Sequence, residues 1–260
     1  MIAASGQMSL LQLTVRVLRS PSSLLDGDRV PLAALLPGLL ALVGLAGGLF
    51  GVVIGSYRGG IQHLFAAIKL PVVLMLPLLV ALPAIRALYL AGGVALRYDR
   101  LAFAAMVGVA RASLLAAAMG PALWLLYSVN LDYHRAVMTM CAALCVAGAI
   151  GLGTMASLLP GGGRLRVCAH LASLVVAGVV FAQGGWLLRP FLVRPRAEIS
   201  FVRPIEADVF SSVGAAWRSS RGDYRGWEAE SVPLWDRERG LQTEPEPEPE
   251  PAPQRGEDRR

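Results

Sequence analysis

Five long apolar runs occupy most of the chain between residues 32 and 188. They are Leu32–Ile54, Leu70–Leu90, Met106–Tyr127, Ala136–Leu159 and Val167–Leu188. Each approaches the roughly 20 residues with which a helix crosses a hydrocarbon layer about 30 Å thick. Because lipid offers a bare backbone no hydrogen-bond partners, each run is predicted to be a membrane-spanning helix. The predicted fold class is therefore all-α, with a polytopic transmembrane bundle of about five helices in segment 30–190.

The N-terminal segment 1–29 is predicted to be an amphipathic helix at the membrane interface. Its apolar residues recur at helical spacing: Met8, Leu11, Val15 and Leu18. Arg16 and Arg19 can extend to the headgroups, and Pro21 marks the end of the helix. These arginines follow the apolar stretch instead of preceding it, which is not the order found in a cleavable signal peptide.

The C-terminal part of the chain has a different composition. Residues 1–188 contain 12 of the 24 basic residues and 4 of the 18 acidic ones. Segment 191–218 is predicted to be juxtamembrane, with a short amphipathic helix that begins at Pro204 and ends near Arg218. Segment 219–260 is predicted to be disordered, because it lacks apolar residues for a core and its repeated Glu-Pro pairs favour an extended chain.

The connection between the first two runs, residues 56–69, is also amphipathic. Gly59 and Gly60 interrupt the helical pattern. The residues that follow divide into an apolar face of Ile61, Leu64, Phe65 and Ile68 and a polar set of Gln62, His63 and Lys69. This pattern predicts either a short interfacial helix or a plain connector.

Glycines in the first run indicate close helix packing. Gly47, Gly51, Gly55 and Gly59 recur every four residues, and Gly44 and Gly48 form a second pair. Such a glycine zipper lets another helix approach closely in lipid. The fourth run offers a mate, because Ala147 with Gly151 and Ala149 with Gly153 repeat the spacing. We expect the glycine stripe to pack against a neighbour. This neighbour is either another helix of the same chain or a second molecule, which is a copy of this chain or another membrane protein.

The second run contains Pro71, Pro77 and Pro83. Pro71 fits a first helical turn, whereas Pro77 and Pro83 each remove an internal hydrogen bond and are predicted to kink the helix. The kink suits either a moving gate or a helix bent to fit its neighbours.

Three polar side chains are candidates for roles inside the membrane: Arg111, His170 and Gln183. Arg111 either extends its stem to the interface or pairs deeper with backbone carbonyls or an anionic lipid. His170 and Gln183 are expected to make hydrogen bonds between helices.

The spans lack the residues that catalysis and ion coupling require. No glutamate precedes Glu198, and the aspartates before it fall in predicted tails or loops: Asp26, Asp28, Asp99 and Asp132. No HExxH, GxSxG or P-loop pattern occurs. The three cysteines, Cys141, Cys145 and Cys168, are interpreted as buried small apolar residues. The sequence therefore predicts no enzymatic activity, no metal and no cofactor.

Short motifs resemble known membrane families. Ser56-Tyr57-Arg58-Gly59-Gly60-Ile61-Gln62, Lys69-Leu70-Pro71 and Trp186-Leu187-Leu188-Arg189-Pro190-Phe191, followed by Phe201-Val202-Arg203-Pro204, resemble an uncharacterised bacterial polytopic membrane family. The amphipathic stretch that ends in Arg19-Ser20-Pro21 is similar to bacterial members of the Ypt-interacting-protein (Yip) domain class. The resemblance implies five spans without catalytic residues and, for the Yip class, a role in membrane organisation or trafficking.

The expected function is that of a multi-pass protein of the bacterial inner membrane with a structural, assembly or membrane-organising role. A permease or channel subunit is the alternative. The expected partners are the lipid bilayer and another membrane protein or a second copy. A net charge of +6 does not indicate nucleic acid, because the arginines flank apolar runs and form no basic stripe interleaved with aromatics.

Overall fold

The computed structural model describes residues 8–25, 32–129, 132–160 and 164–187, together with 213–214, 217–218 and 221. These residues fall in the unit Met1–Arg221, and the second unit, Gly222–Arg260, lies outside the described part of the chain. Within the described ranges the secondary structure is helical and includes no strand.

Among the described residues, six α-helices and one short 3-10 helix precede the helical positions 213–214 and 217–218. They are α1 (Leu10–Arg19), the 3-10 helix Pro21–Leu24, α2 (Leu32–Gly55), α3 (Gln62–Ala91), α4 (Tyr98–Ser128), α5 (Tyr133–Leu158) and α6 (Arg164–Leu187). Helices α2 to α6 are long and apolar enough to cross a membrane. For the part of the chain that the structure describes, the predicted all-helical fold with five candidate spans is thereby confirmed. Helices α3 and α4 begin about two turns earlier than the apolar runs predict.

Helix α4 is the innermost helix of the bundle. It packs against α2 and α5, while α3 packs against α2 and α6. Every residue from Phe103 to Ala110 is buried, and a helix that is apolar and buried on all sides lies inside a bundle. Helix α6 is the least buried of the five.

Two apolar clusters follow one another along the bundle. One contains Leu13 and Val17 of α1 and Tyr89 near the end of α3. The other contains Phe50 near the end of α2 and Tyr127 near the end of α4. The first cluster therefore surrounds the end of the bundle where α2 begins, and the second surrounds the end where α2 finishes.

Helix α1 lies against the bundle through a face that the sequence pattern did not identify. Leu13 and Val17 are buried, whereas Leu11 and Val15 are exposed. A capping box at Ser9 begins the helix, because the Ser9 hydroxyl accepts from the Gln12 backbone while Gln12 returns a hydrogen bond to the Ser9 backbone. The apolar surface of α1 is thus wider than predicted. It includes the buried Leu13 and Val17 in addition to the exposed residues of the predicted stripe.

The connector at residues 56–69 differs from the prediction. No separate interfacial helix forms, because α3 begins at Gln62 and continues through this segment. Ile61 and Leu64 are exposed, while Gln62 and Lys69 are buried. In a bilayer this arrangement turns the apolar side of α3 toward lipid and its polar side toward protein. Gly59 and Gly60 have positive φ values of 79° and 61° and form the turn before α3.

The C-terminal predictions lie largely outside the described residues. Of the helix predicted from Pro204 to Arg218, residues 213–214 and 217–218 are described, and they are helical. The Arg221 guanidinium lies 4.2 Å from the centre of the Trp217 ring. The disorder predicted for 219–260 stays a prediction.

Candidate functional site

The glycines of α2 lie against the backbone of α3. A Cβ placed on Gly51 would be 2.6 Å from the Ala66 carbonyl carbon, and one placed on Gly55 would be 2.7 Å from the Gln62 carbonyl oxygen. Gly47 makes an ordinary contact, at 3.4 Å from the Pro71 ring. The stripe therefore has an internal neighbour, and that neighbour is α3 instead of the fourth apolar run that the spacing offered.

A second close contact joins α4 and α5. A Cβ on Gly108 would lie 2.7 Å from the Gly151 carbonyl oxygen, and one on Gly151 would lie 2.8 Å from the Cβ of Ala112. Gly151 thus contacts α4 and not α2. Gly108 was not among the predicted packing residues, although Gly108 and Ala112 have the same four-residue spacing as the predicted pairs.

At three of the predicted packing glycines, Gly44, Gly59 and Gly153, an added Cβ would meet no other atom of the described residues within 4 Å. Gly44 and Gly153 therefore have no internal neighbour within the described chain. Gly59 lies beyond the end of α2 and serves the turn through its positive φ. Gly48 makes only an ordinary contact, 3.5 Å from the Ala67 carbonyl oxygen.

The prolines of α3 lie inside one continuous helix that runs from Gln62 to Ala91. Pro77 is buried, and its ring fills the notch that Gly184 leaves on α6, where a Cβ would be 3.2 Å from the Pro77 Cβ. Pro83 is exposed. Pro77 therefore contributes a shape that α6 fits, while the kink at Pro77 and Pro83 stays a prediction.

Arg111 joins three elements of the fold. Its Nη1 donates to the Thr154 hydroxyl of α5 at 3.0 Å, and its Nη2 donates to the Leu18 carbonyl in the last turn of α1 at 2.9 Å. Its Nε is buried and has no hydrogen-bond partner among the described residues. Arg111 therefore pairs with a backbone carbonyl, and its depth relative to the membrane interface stays a prediction.

His170 joins α6 to α3. Its Nδ1 and the Tyr89 hydroxyl share a short hydrogen bond, and the two rings meet edge to face with their centres 6.0 Å apart. The nearby Ser173 hydroxyl donates within its own helix to the Ala169 carbonyl. His170 therefore makes the hydrogen bond between helices that the sequence predicts. Gln183 is partly buried on α6.

Two further polar residues inside the bundle were missed. Gln62 is 0% exposed and Lys69 is 1% exposed, and both lie on the inner side of α3. Their shared face could have been predicted from the helical spacing, because residues 62, 66, 69 and 73 occupy one face of the helix. Because two residues of this face are polar, the sequence pattern does not by itself place the face inside the bundle.

Aromatic side chains gather at the end of the bundle where α5 begins. The rings of Tyr57 and Tyr127 lie 5.5 Å apart, and those of Tyr57 and Tyr133 lie 6.4 Å apart. The Asp132 carboxylate accepts from the Arg135 backbone as the N-cap of α5. Burial raises the pKa of Tyr57, and the nearby Asp132 and Tyr133 raise it further. Tyr57 therefore remains a neutral phenol in the turn that follows α2.

The cysteines differ from the prediction. Cys145 and Cys168 are exposed on the outside of their helices, and only Cys141 is partly buried. No group of three or more potential metal ligands occurs among the described residues. The arrangement as a whole supplies hydrogen bonds and close contacts between helices.

Comparison of the chain with protein-family models, with curated proteins and with solved structures gives no match. The resemblance to bacterial polytopic families therefore stays a prediction.

Proposed function

We propose that this chain is a non-catalytic multi-pass protein of the bacterial inner membrane with a structural, assembly or membrane-organising role. The observation that carries this proposal is the closeness of its helix contacts. Gly51 lies on the α3 backbone, and Gly108 lies on the α5 backbone. Contacts without intervening side chains favour a bundle that holds one arrangement.

The interior polar groups support the same proposal. Arg111 donates to neutral oxygens on two other elements, and Tyr89 bonds to His170 across α3 and α6. Such bonds contribute about 0.6–2 kcal/mol each in membranes. These groups are used in joining helices, which is the chemistry expected of a scaffold.

Reconstitution tests this proposal directly. Purified full-length protein is placed in liposomes, and the flux of K⁺, Cl⁻ and a small fluorescent anion is compared with that of protein-free liposomes. A structural protein is expected to give the same flux as empty liposomes. A protein-dependent flux that grows with the protein-to-lipid ratio would reject the purely structural role.

A permease or channel subunit is the second candidate, and the low burial of α6 favours it, because a helix with few neighbours can move. The Pro77 ring fits into the notch that Gly184 leaves on α6. That fit lies between α3 and α6, and α6 is the helix least enclosed by the bundle. A transport cycle in which α6 moves against α3 would have to break this contact. Any flux found should then change in Pro77→Ala and stay unchanged in Pro83→Ala, whose ring is exposed. Equal flux in both variants would remove this mechanism.

A further inference from the structure

Helix α1 presents three different sides. Leu13 and Val17 face the bundle, and Leu11 and Val15 form an exposed apolar stripe on almost the opposite side of the helix. Gln12, Arg16 and Arg19 occupy the remaining arc, as the rotation of about 100° per residue requires. A helix with protein on one side, an apolar stripe on the second and cations on the third is suited to lie flat at a membrane surface.

The height of α1 on the bundle agrees with such a position. Leu13 contacts α2 at Gly38, where an added Cβ would be 2.6 Å from the Leu13 side chain. Gly38 lies roughly 26 Å from the far end of α2 at Gly55, given a rise of 1.5 Å per residue. The hydrocarbon core is about 30 Å thick, so α1 crosses α2 a few ångströms inside its boundary.

Positive charge collects at the last turn of α1. Arg16 and Arg19 belong to this turn, and its Leu18 carbonyl accepts from Arg111. The acidic residues of the described chain are used elsewhere. Asp99 pairs with Arg97 at 2.6 Å, and Asp132 caps α5 at the opposite end of the bundle. Within the described structure, three guanidinium groups therefore belong to this corner and no carboxylate does.

We infer that α1 and Arg111 form a docking surface for an anionic phospholipid of the adjoining leaflet. Acyl chains lie along the Leu11 and Val15 stripe, and the phosphodiester meets Arg16 and Arg19 above it. Arg111 adds a positive charge below the headgroup and holds the last turn of α1 in place. Charge and apolar area are both needed, so the surface selects a lipid over a free anion.

Native mass spectrometry of the full-length protein in detergent tests this surface. Short-chain phosphatidylglycerol and phosphatidylcholine are titrated, and the ratio of their association constants gives the preference of the protein. Wild type is expected to prefer phosphatidylglycerol, and the preference should fall by roughly fivefold for each arginine removed in Arg16→Gln and Arg19→Gln. Arg135→Gln is the matched control, since Arg135 is exposed at the opposite end of the bundle.

Three results would overturn the inference. In the first, the double variant Arg16→Gln/Arg19→Gln keeps the wild-type preference for phosphatidylglycerol. In the second, the control Arg135→Gln loses as much of that preference as Arg16→Gln or Arg19→Gln. In the third, inorganic phosphate at millimolar concentration displaces the lipid, which would show a phosphate site instead of a lipid surface. Melting curves without phosphatidylglycerol identify any variant that is misfolded, and the single variants then replace the double one.

This inference rests on the membrane insertion assumed in the proposed function and not on the absence of transport. Liposome flux would reject the structural role while leaving the lipid preference in place. Loss of the preference would remove the docking surface while leaving the flux result unchanged.

Discussion

Arg111 shows how one charge is held within an apolar bundle. A guanidinium cannot lose its proton in a protein, so its cost in lipid must be met by its neighbours. The side chain of a helical residue points back toward the N-terminus of its helix, which directs Arg111 to the end of the bundle where α1 lies. There it meets the Leu18 carbonyl at the negative end of α1 and the Thr154 hydroxyl. The carbonyl and the hydroxyl are neutral dipoles, and they accept the hydrogen bonds of Arg111 in place of a carboxylate.

Thr154→Val tests the contribution of the hydroxyl to this arrangement. The variant keeps the shape of the side chain but leaves Nη1 of Arg111 without its acceptor on α5. We expect the free energy of unfolding in detergent to fall by about 1–3 kcal/mol, measured by chemical denaturation. Ser157→Ala is the control, because the Ser157 hydroxyl bonds only within its own helix. Equal losses in the two variants would show that the contact with Arg111 adds no stability.

Gly51→Ala tests the close approach of α2 and α3. The added methyl group would meet the Ala66 carbonyl, which is backbone and cannot rotate away. Overpacking of this kind costs about 1–3 kcal/mol, and we expect a correspondingly lower melting temperature in detergent. Gly44→Ala adds the same methyl group where no atom lies within 4 Å, and it should leave the melting temperature unchanged or raise it. Equal melting temperatures for Gly51→Ala and Gly44→Ala would show that α2 and α3 are not in backbone contact.

At the scale of helices, α1 depends on two apolar surfaces with different neighbours. Leu13 is 3% exposed within the bundle, and Leu11 is 74% exposed on the outer stripe. Removing a buried leucine leaves a cavity, whereas trimming an exposed one removes contact with lipid or detergent. The two residues therefore separate docking of α1 on the bundle from contact with the membrane.

Leu13→Ala is expected to lower the free energy of unfolding by about 2–5 kcal/mol, because its side chain fills the contact between α1 and α2. Leu11→Ala should change it by less than about 0.5 kcal/mol, as is usual for exposed positions. Urea denaturation in a mild detergent, followed by circular dichroism, measures both. A small effect of Leu13→Ala would mean that α1 does not dock on the bundle in solution.

The sequence predicts the existence of the helices better than their partners. The length of the apolar runs identifies α2 to α6, because the bilayer imposes that length. Their starts are harder to predict, since Gln62 and Lys69 become compatible with α3 only when a neighbouring helix covers them. The spacing offered the fourth run as a mate for the glycine stripe, whereas Gly51 meets α3, which has no small-residue spacing there and contributes its bare backbone. The partners of Arg111 lie on α1 and α5, and no local pattern links them to it.

At the scale of the whole molecule, the helices combine into layers around α4. Helices α2 and α5 pack on α4, α3 packs on α2, and α6 packs on α3. The least buried helix is therefore separated from the innermost one by α3. Helix α6 is the least buried span and α4 the most buried, so local opening should begin at α6 and should cost most at α4.

The number of spans gives a prediction for the molecule as a whole. With five crossings, the residues before α2 and those after α6 lie on opposite sides of the membrane, while the turn between α3 and α4 shares the side of α1. In a background where Cys141, Cys145 and Cys168 are replaced by serine, Ala95→Cys and Ser231→Cys are expected to react with a membrane-impermeant maleimide from opposite sides of sealed vesicles. Gln7→Cys should react from the same side as Ala95→Cys.

Labelling of Ala95→Cys and Ser231→Cys from the same side would contradict this topology. It would require an even number of crossings between the two residues, and α6, as the least enclosed helix, would then be the one that fails to cross.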